Sequence, residues 1–377
     1  MKSYTHLYDP ICAFENLLHA ASRAQRGKRF TGSTARFNFF LERELLCLQQ
    51  ELLTQTYRPG PYTTFTIREP KTRLISAAPY RDRVVHHALC AIIEPLFERA
   101  FIDDSYACRA GKGTHAAVER FSQYCRRYPY VLKADIAQFF PSIDHELLFG
   151  LLTRTIRDQR TRWLMRQILD ASNPQPPALY YFPGDDLFTP ITRRKGLPIG
   201  NLTSQLFANI YLNGFDHFVK ETLRCPAYLR YCDDFVVFSA DKRALWQVQD
   251  AMRTYLASLR LRLHATKCQV LRTQDGVDFL GYRIFPTHRL LRQSTVRRFR
   301  RRLLVQQALY GRGLLSFAAL DRSVQSWLGH ASHAATYGLR RHLFRAMTWR
   351  RLVVPLDGTA DKGQAVPGRR ARRGVEQ

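Results

Sequence analysis

Residues Tyr228–Ser239 read YLRYCDDFVVFS. Two β-rich runs, Tyr228–Tyr231 and Phe235–Phe238, flank the adjacent acids Asp233 and Asp234, which spells strand, tight turn, strand. The tip of such a hairpin presents two carboxylates together beside an apolar sheet. Like charges placed there are costly, and a divalent cation removes the cost. Carboxylate oxygens are hard ligands that suit Mg2+. Two other adjacent pairs, Asp103 with Asp104 and Asp185 with Asp186, lack such flanks and read as solvated turns.

Working outward, a third acid matches the pair. Asp135 closes the apolar run Tyr130–Ala134 and precedes Phe139 and Phe140. Taken alone it is a strand-end Asp able to cap the next turn. Taken with Asp233 and Asp234 it completes a ligand set for two-metal phosphoryl transfer, in which ions about 3.5–4 Å apart activate the attacking hydroxyl and the leaving pyrophosphate.

The charge points the same way. The 377 residues carry 58 Lys and Arg against 31 Asp and Glu, a net +27, with 45% hydrophobic residues. That hydrophobic share supports a sizeable core, and the basic excess suits a polyphosphate partner, nucleic acid ahead of an anionic membrane. Arg289–Gln377 holds 19 basic and four acidic residues, more than half of the net charge. The eight Cys form no C-x-x-C pair, so neither a zinc site nor a disulfide framework is suggested, and free thiols of a reducing cytosol are expected. The first 20 residues lack an apolar run after a basic start, and no segment is long enough to span a bilayer.

Along the chain, residues 11–57 read as helices, and PGPYTTFTIREP as a strand entered from a turn. RLISAAPYRDRVVHHALC starts extended and turns helical after Pro79. Five prolines between 172 and 190 mark a loop or insertion. An apolar helix follows GLPIGN, an amphipathic helix covers 243–263, and VDFLGYRIF is a strand or hairpin arm. Residues beyond 288 to Arg351 read as helical, and the Gly-, Ala- and Arg-rich end as disordered.

Tyr231-Cys232-Asp233-Asp234 resembles the Tyr-x-Asp-Asp box of reverse transcriptases, and the motif order resembles that family from about 58 to 285. The resemblance implies an α+β right-hand polymerase fold. Its parts would be N-terminal helices and fingers over 1–112, a palm with an antiparallel sheet over 113–285, a basic helical thumb over 286–352 and a disordered tail over 353–377. It implies RNA-directed DNA synthesis with two Mg2+, or Mn2+ in their place. Asp135, Asp233, Asp234 and the Ile136 carbonyl would be the ligands. Template RNA, primer or cDNA and dNTP are the implied partners.

The resemblance also assigns single residues. Lys71 and Arg73 fall where the fingers hold the triphosphate, Phe140 at the sugar gate that excludes a ribose 2′-hydroxyl, and Lys267 where a lysine protonates pyrophosphate. Arg81, Arg83, Arg109 and Lys112 fall at positions that steer template or nucleotide. Phe279-Leu280-Gly281-Tyr282 matches the primer-grip hairpin. Arg297, Arg298, Arg300, Arg301 and Arg302, with Phe299, Leu303 and Leu304 as the apolar face, would track the duplex through phosphates. Trp327 reads as thumb core.

Within the family, Ile199-Gly200-Asn201-Leu202-Thr203-Ser204-Gln205 is the most discriminating stretch. Many reverse transcriptases carry Gln before this Gly. Ile there, followed by Ser204 and Gln205, is similar to the pattern of diversity-generating retroelements, whose enzymes copy RNA with errors at adenines. Ile199, Gly200 and Gln205 would then line the nucleotide site. That class implies a bacterial or phage-encoded cytoplasmic enzyme with a small, basic, oligomeric accessory protein. The competing expectations are a group II intron or phage-defence reverse transcriptase and, outside enzymes, an RNA-binding splicing cofactor.

Overall fold

The computed structural model describes residues 3–68, 72–172, 180–345, 347 and 349. Contacts divide the chain into two compact units, one ending at Arg292 and one beginning at Gln293.

The N-terminal helical stretch forms α1 (Tyr8–Cys12), α2 (Phe14–Ala24), α3 (Gly32–Phe39) and α4 (Leu41–Leu53). In α2 the buried positions Leu17, Ala20, Ala21 and Ala24 recur at helical spacing. Three are alanines, and their small side chains let α2 lie close along α5 (Tyr80–Glu98). Asp158 fixes this layer to the rest. Its Oδ1 caps α9 (Gln159–Asp170) by accepting from the Arg160 and Thr161 amides, while Oδ2 accepts from those of Leu7 and Tyr8 at 2.8 Å each. One carboxylate thus satisfies the starts of two helices. Nearby, the Tyr4 amide donates to the Thr155 carbonyl and the Arg157 amide to that of Tyr4.

Strands β1 (Thr63–Ile67) and β2 (Arg73–Ala77) pair from Thr63 opposite Ala77 to Ile67 opposite Arg73, and β1 is exposed throughout. After α5 come α6 (Thr114–Arg127), β3 (Tyr130–Asp135), α7 (Phe139–Ser142), α8 (His145–Thr155), α9 (Gln159–Asp170), α10 (Thr189–Thr192) and α11 (Leu202–His217). β4 (Tyr228–Tyr231), β5 (Asp234–Ser239), α12 (Lys242–Ser258) and β6 (Gln269–Arg272) complete the central layer.

The central sheet runs β4-β5-β3-β6, all antiparallel. Successive side chains in a strand point to opposite faces, yet Phe235, Val236, Val237 and Phe238 are all buried, so both faces are covered. Phe235 meets Phe215 of α11 at 5.2 Å between ring centroids, and Phe238 meets Phe121 of α6 at 4.9 Å. The helix expected over 243–263 stops at Ser258 because the chain reverses at Arg260, φ 54°, with the Leu261 amide donating to the Leu256 carbonyl. The reversal lays Leu263 against Ile136.

A second sheet, β7 (Val277–Phe279), β8 (Tyr282–Ile284) and β9 (Arg289–Leu291), turns at Leu280 and Gly281. The second unit holds α13 (Gln293–Gly311), α14 (Phe317–Ala331) and α15 (Tyr337–Arg345). Trp327 is buried there and stacks on Phe299 at 4.0 Å, as expected of a core residue. Leu303 is buried, whereas Leu304, expected on the same apolar face, is half exposed. The expected disordered end lies outside the described residues.

Among the described residues no helix is long and apolar enough to cross a membrane, and all eight cysteines are free thiols.

Candidate active site

Strand register assembles the carboxylates. Asp135 at the end of β3 pairs with Asp234 at the start of β5, and Asp234 also pairs with Tyr231 of β4. Cys232 takes a left-handed φ of 59°, which closes the turn and sets Asp233 beside β3. The Ile136 amide donates to the Asp233 carbonyl at 3.2 Å, and the His264 amide to the Asp135 carbonyl at 2.8 Å. Tyr231 steadies the outer side through its hydroxyl, 3.0 Å from that of Thr114.

The electrostatics fit a cation. Burial pushes the Asp234 carboxyl up to about 6, and Asp233 and Asp135 add to the rise while Lys133 and Lys267 oppose it. Asp233 is raised first by burial and then by Asp135, against the nearby charge of Arg73. Lys267 Nζ donates to Asp135 Oδ2 at 2.7 Å, and Lys133 Nζ donates to the Asp278 carbonyl at 2.6 Å. As the side chains stand, no group of three or more His, Cys, Asp and Glu among the described residues is gathered tightly enough to hold a metal ion. The donor chemistry nevertheless suits a hard divalent ion. Three carboxylates share adjacent backbone positions, two of them are held against ionisation, and one is engaged by the partly exposed ammonium of Lys267.

A feature not visible in the sequence supports this turn from below. Arg230 and Asp216 form a fully buried ion pair, with Nη2 to Oδ2 at 2.6 Å and Nε to Oδ1 at 2.7 Å. Arg230 Nη1 also donates to the Cys232 carbonyl at 3.1 Å and to Asn209 Oδ1 at 3.2 Å. Tyr228 donates to Asp216 at 2.6 Å. The alternation of YLRY gives a hint, since Arg230 stands between strand neighbours, but its partner on α11 lies 14 residues away.

The remaining expected positions divide. Arg73 lies on the exposed hairpin β1–β2, and Lys71 lies outside the described residues. Phe140 packs edge-on against Phe139 at 5.4 Å, and its carbonyl accepts from the Leu197 amide at 2.9 Å. The Ile199 carbonyl accepts from the Ser76 amide at 3.0 Å, which joins β2 to the start of α11. Gly200 has φ +122°, and a Cβ there would meet Ile75 Cγ2 at 3.3 Å and the Ser76 carbonyl at 3.4 Å. Gln205 is exposed. Leu280 and Gly281 form a positive-φ turn, φ 44° and 92°. Tyr282 faces inward and is fully buried, so its ring packs the sheet rather than reaching a ligand.

Three basic residues expected to steer nucleic acid are engaged by partners within the chain. Arg109 gives Nε to Glu98 at 2.7 Å and Nη1 to the carbonyls of Ile102 and Ser105. Lys112 holds Asp103, and Arg81 holds Glu51. Arg83 has no carboxylate partner among the described residues and lies against the Tyr80 ring at 5.3 Å. On α13, Arg297, Arg298 and Arg301 are exposed.

The reading of the other Asp pairs as solvated turns is also corrected. Asp104 is 4% exposed and accepts from Arg120, Tyr124, Tyr106 and Lys220. Asp185 is engaged by Arg193, while Asp186 does cap an exposed turn through the Phe188 and Thr189 amides.

A sheet with helices on both faces, carrying acids at one strand end and on the adjoining turn, defines a right-hand polymerase palm. Residues 67–284 match the reverse transcriptase (RNA-dependent DNA polymerase) family, and the chain belongs to it. RNA-directed DNA polymerase is the activity that membership assigns. Protein YkfC of Escherichia coli (strain K12) is 27% identical over 281 residues, covering 64% of this chain and 71% of that protein. Group II intron-encoded protein LtrA of Lactococcus lactis subsp. cremoris is 23% identical over 367 residues, covering 78% of this chain and 58% of LtrA. An uncharacterized 91 kDa protein in the cob intron of Schizosaccharomyces pombe is 30% identical over 140 residues, 37% of this chain and 16% of that one.

Proposed function

We propose that the chain extends a DNA primer on an RNA template at the Asp135, Asp233 and Asp234 site. The observation that carries the reading is the register of Asp135 opposite Asp234 with Asp233 on the intervening turn. Divalent ions held by these carboxylates and the Ile136 carbonyl supply activation of the primer 3′-hydroxyl and neutralisation of the departing pyrophosphate. Arg73, with Lys71, neutralises the triphosphate from the fingers. Lys267, 41% exposed and so free to leave Asp135, protonates the pyrophosphate. The Phe140 ring excludes a ribose 2′-hydroxyl. The three Arg of α13 track the duplex as the thumb, with fingers over 1–112 and palm over 113–285.

The finer reading is the error-prone enzyme of a diversity-generating retroelement, acting in the cytoplasm with a small basic accessory oligomer. Ile199 supports it, because an apolar side chain cannot hydrogen-bond where a Gln would, which loosens the check on base-pair geometry. A group II intron-type enzyme is the second reading, favoured by the resemblance to the group II intron-encoded protein LtrA.

Primer extension on a defined RNA with Mg2+ and dNTPs, with every product sequenced, tests both levels. Asp233→Ala is expected to abolish synthesis while RNA binding persists, and synthesis by that variant would overturn the mechanism. Errors concentrated opposite template adenines support the retroelement reading, and uniformly accurate products support the intron type.

A further inference from the structure

Lys133 stands where the central sheet changes from core to site. Residues paired across antiparallel strands point to the same face, so Val131 with Phe238, Lys133 with Val236 and Asp135 with Asp234 line one face in turn. Val131 and Phe238 are buried, and α6 covers that end through Phe121. Asp135 and Asp234 occupy the other end. An apolar β-branched residue would suit the middle position, as Val236 does beside it. Lysine fills it instead, half-buried, at the cost of drawing an ammonium partly out of water.

The ammonium finds its acceptor in the second sheet. Nζ donates to the main-chain carbonyl of Asp278 at 2.6 Å. Asp278 lies on β7, at the edge of that sheet and two residues before the positive-φ residue Leu280 of the turn. The same segment is held from other sides. Phe279 stacks on Phe121 at 4.7 Å, the Arg292 amide donates to the Gly281 carbonyl at 2.9 Å, and Arg292 Nε pairs with Asp278 Oδ2 at 3.0 Å. Phe121 and Arg292 seat the turn on α6 and on the residue after β9. Of these partners, Lys133 alone stands on a strand that ends in one of the three acids, two residues from Asp135.

On the reading of that turn as the primer grip and of the acids as the site of synthesis, we propose that Lys133 is a positioning residue. Its hydrogen bond to Asp278 fixes the distance between the Leu280–Gly281 turn and the three acids. A primer terminus seated on the turn then meets the acids in one register. Attack needs the reacting atoms about 3–3.5 Å apart, and a displacement near 1 Å costs on the order of a hundredfold in rate. One side-chain hydrogen bond thereby gains a leverage on rate out of proportion to its part in stability.

The test compares the full chain with Lys133→Met, which keeps the stem without a donor, and Lys133→Arg, which keeps charge and donors. Lys133→Gln, polar but too short to reach, gives the same comparison if methionine unfolds the chain. Hydrogen–deuterium exchange of the free protein reads the tether without any synthesis. In Lys133→Met the amides of 277–282 are expected to exchange roughly tenfold faster, while those of α11 and α12, on the opposite face, keep the parent's rates. In single-nucleotide extension on an RNA template, kcat is expected to fall about ten- to a hundredfold. The KM for dNTP, the Mg2+ half-saturation and the primer–template affinity are expected to stay within about twofold of the parent. Lys133→Arg is expected to restore both exchange and rate. Unchanged exchange over 277–282, a loss confined to KM, or a shift in Mg2+ dependence as the main effect would overturn the inference. Absence of synthesis by the parent counts against the proposed function instead, and the exchange of 277–282 still decides whether Lys133 holds the turn.

Discussion

Arg230 is 1% exposed, an unusual place for a guanidinium, and it is tolerable only because Asp216 neutralises it and three further acceptors or donors complete the cluster. Removing one partner leaves a buried charge uncompensated. Asp216→Ala should therefore destabilise the first unit by about 3–5 kcal/mol in denaturant unfolding. Because Arg230 also holds the Cys232 carbonyl, the variant should lose more synthesis than stability alone explains. Asp104 makes a pH-dependent contribution. Burial pushes its carboxyl up, but Lys220 and Arg120 outweigh that and leave it below the ordinary 3.8. Its stabilisation is fully present above 3.8 and is lost as pH falls through the lower folded value. Asp104→Asn should therefore be less stable than the parent at neutral pH, with the gap closing as unfolding is measured below pH 3.8. None of this partnering was legible. A buried acid and a turn acid look alike until residues 16 and 116 positions away arrive.

At the scale of elements, the strands around the acids were readable because period and composition agree. Phe235–Phe238 is a continuous apolar run, and such runs belong to strands covered on both faces. The α12 boundary was not readable, since Leu259–Leu263 keeps a helical look while Arg260 adopts a left-handed φ. VDFLGYRIF, read as a strand or hairpin arm, forms the β7–β8 hairpin, and the inward side of β8 claims Tyr282 for the core. Gly200 joins two elements. Its φ of +122° strains any side chain there, and the close approach of Ile75 and Ser76 crowds one. Gly200→Ala should cost about 1–3 kcal/mol and depress synthesis by displacing Ile199 and Phe140 together, checked by thermal unfolding beside single-turnover extension. Asp158→Ala uncaps two helices at once and should cost about 2 kcal/mol or more by the same unfolding assay.

For the whole molecule, the net charge of +27 and the exposed α13 cations forecast binding that collapses with salt. Replacing Arg297, Arg298 and Arg301 by Gln should reduce the slope of log affinity against log salt for an RNA–DNA duplex by roughly 2–3. An unchanged slope would remove α13 from the duplex-binding surface. The family was legible in the sequence because a few acids in fixed order carry it. The buried pair of Arg230 and Asp216 was not, because its residues come from β4 and α11 and only the fold unites them.

The clasp of Asp158 on Leu7 and Tyr8 carries a consequence for the chain's birth. These bonds span 151 and 150 residues. A ribosome adding 5–20 residues per second needs about 8–30 s to cover that interval. Through that time the amide groups heading α1 wait for a carboxylate not yet made, while the apolar side of α2 can already settle on α5. The entry to α1 is thus secured only once residue 158 has been made, which makes a slow stretch after it a help rather than a delay.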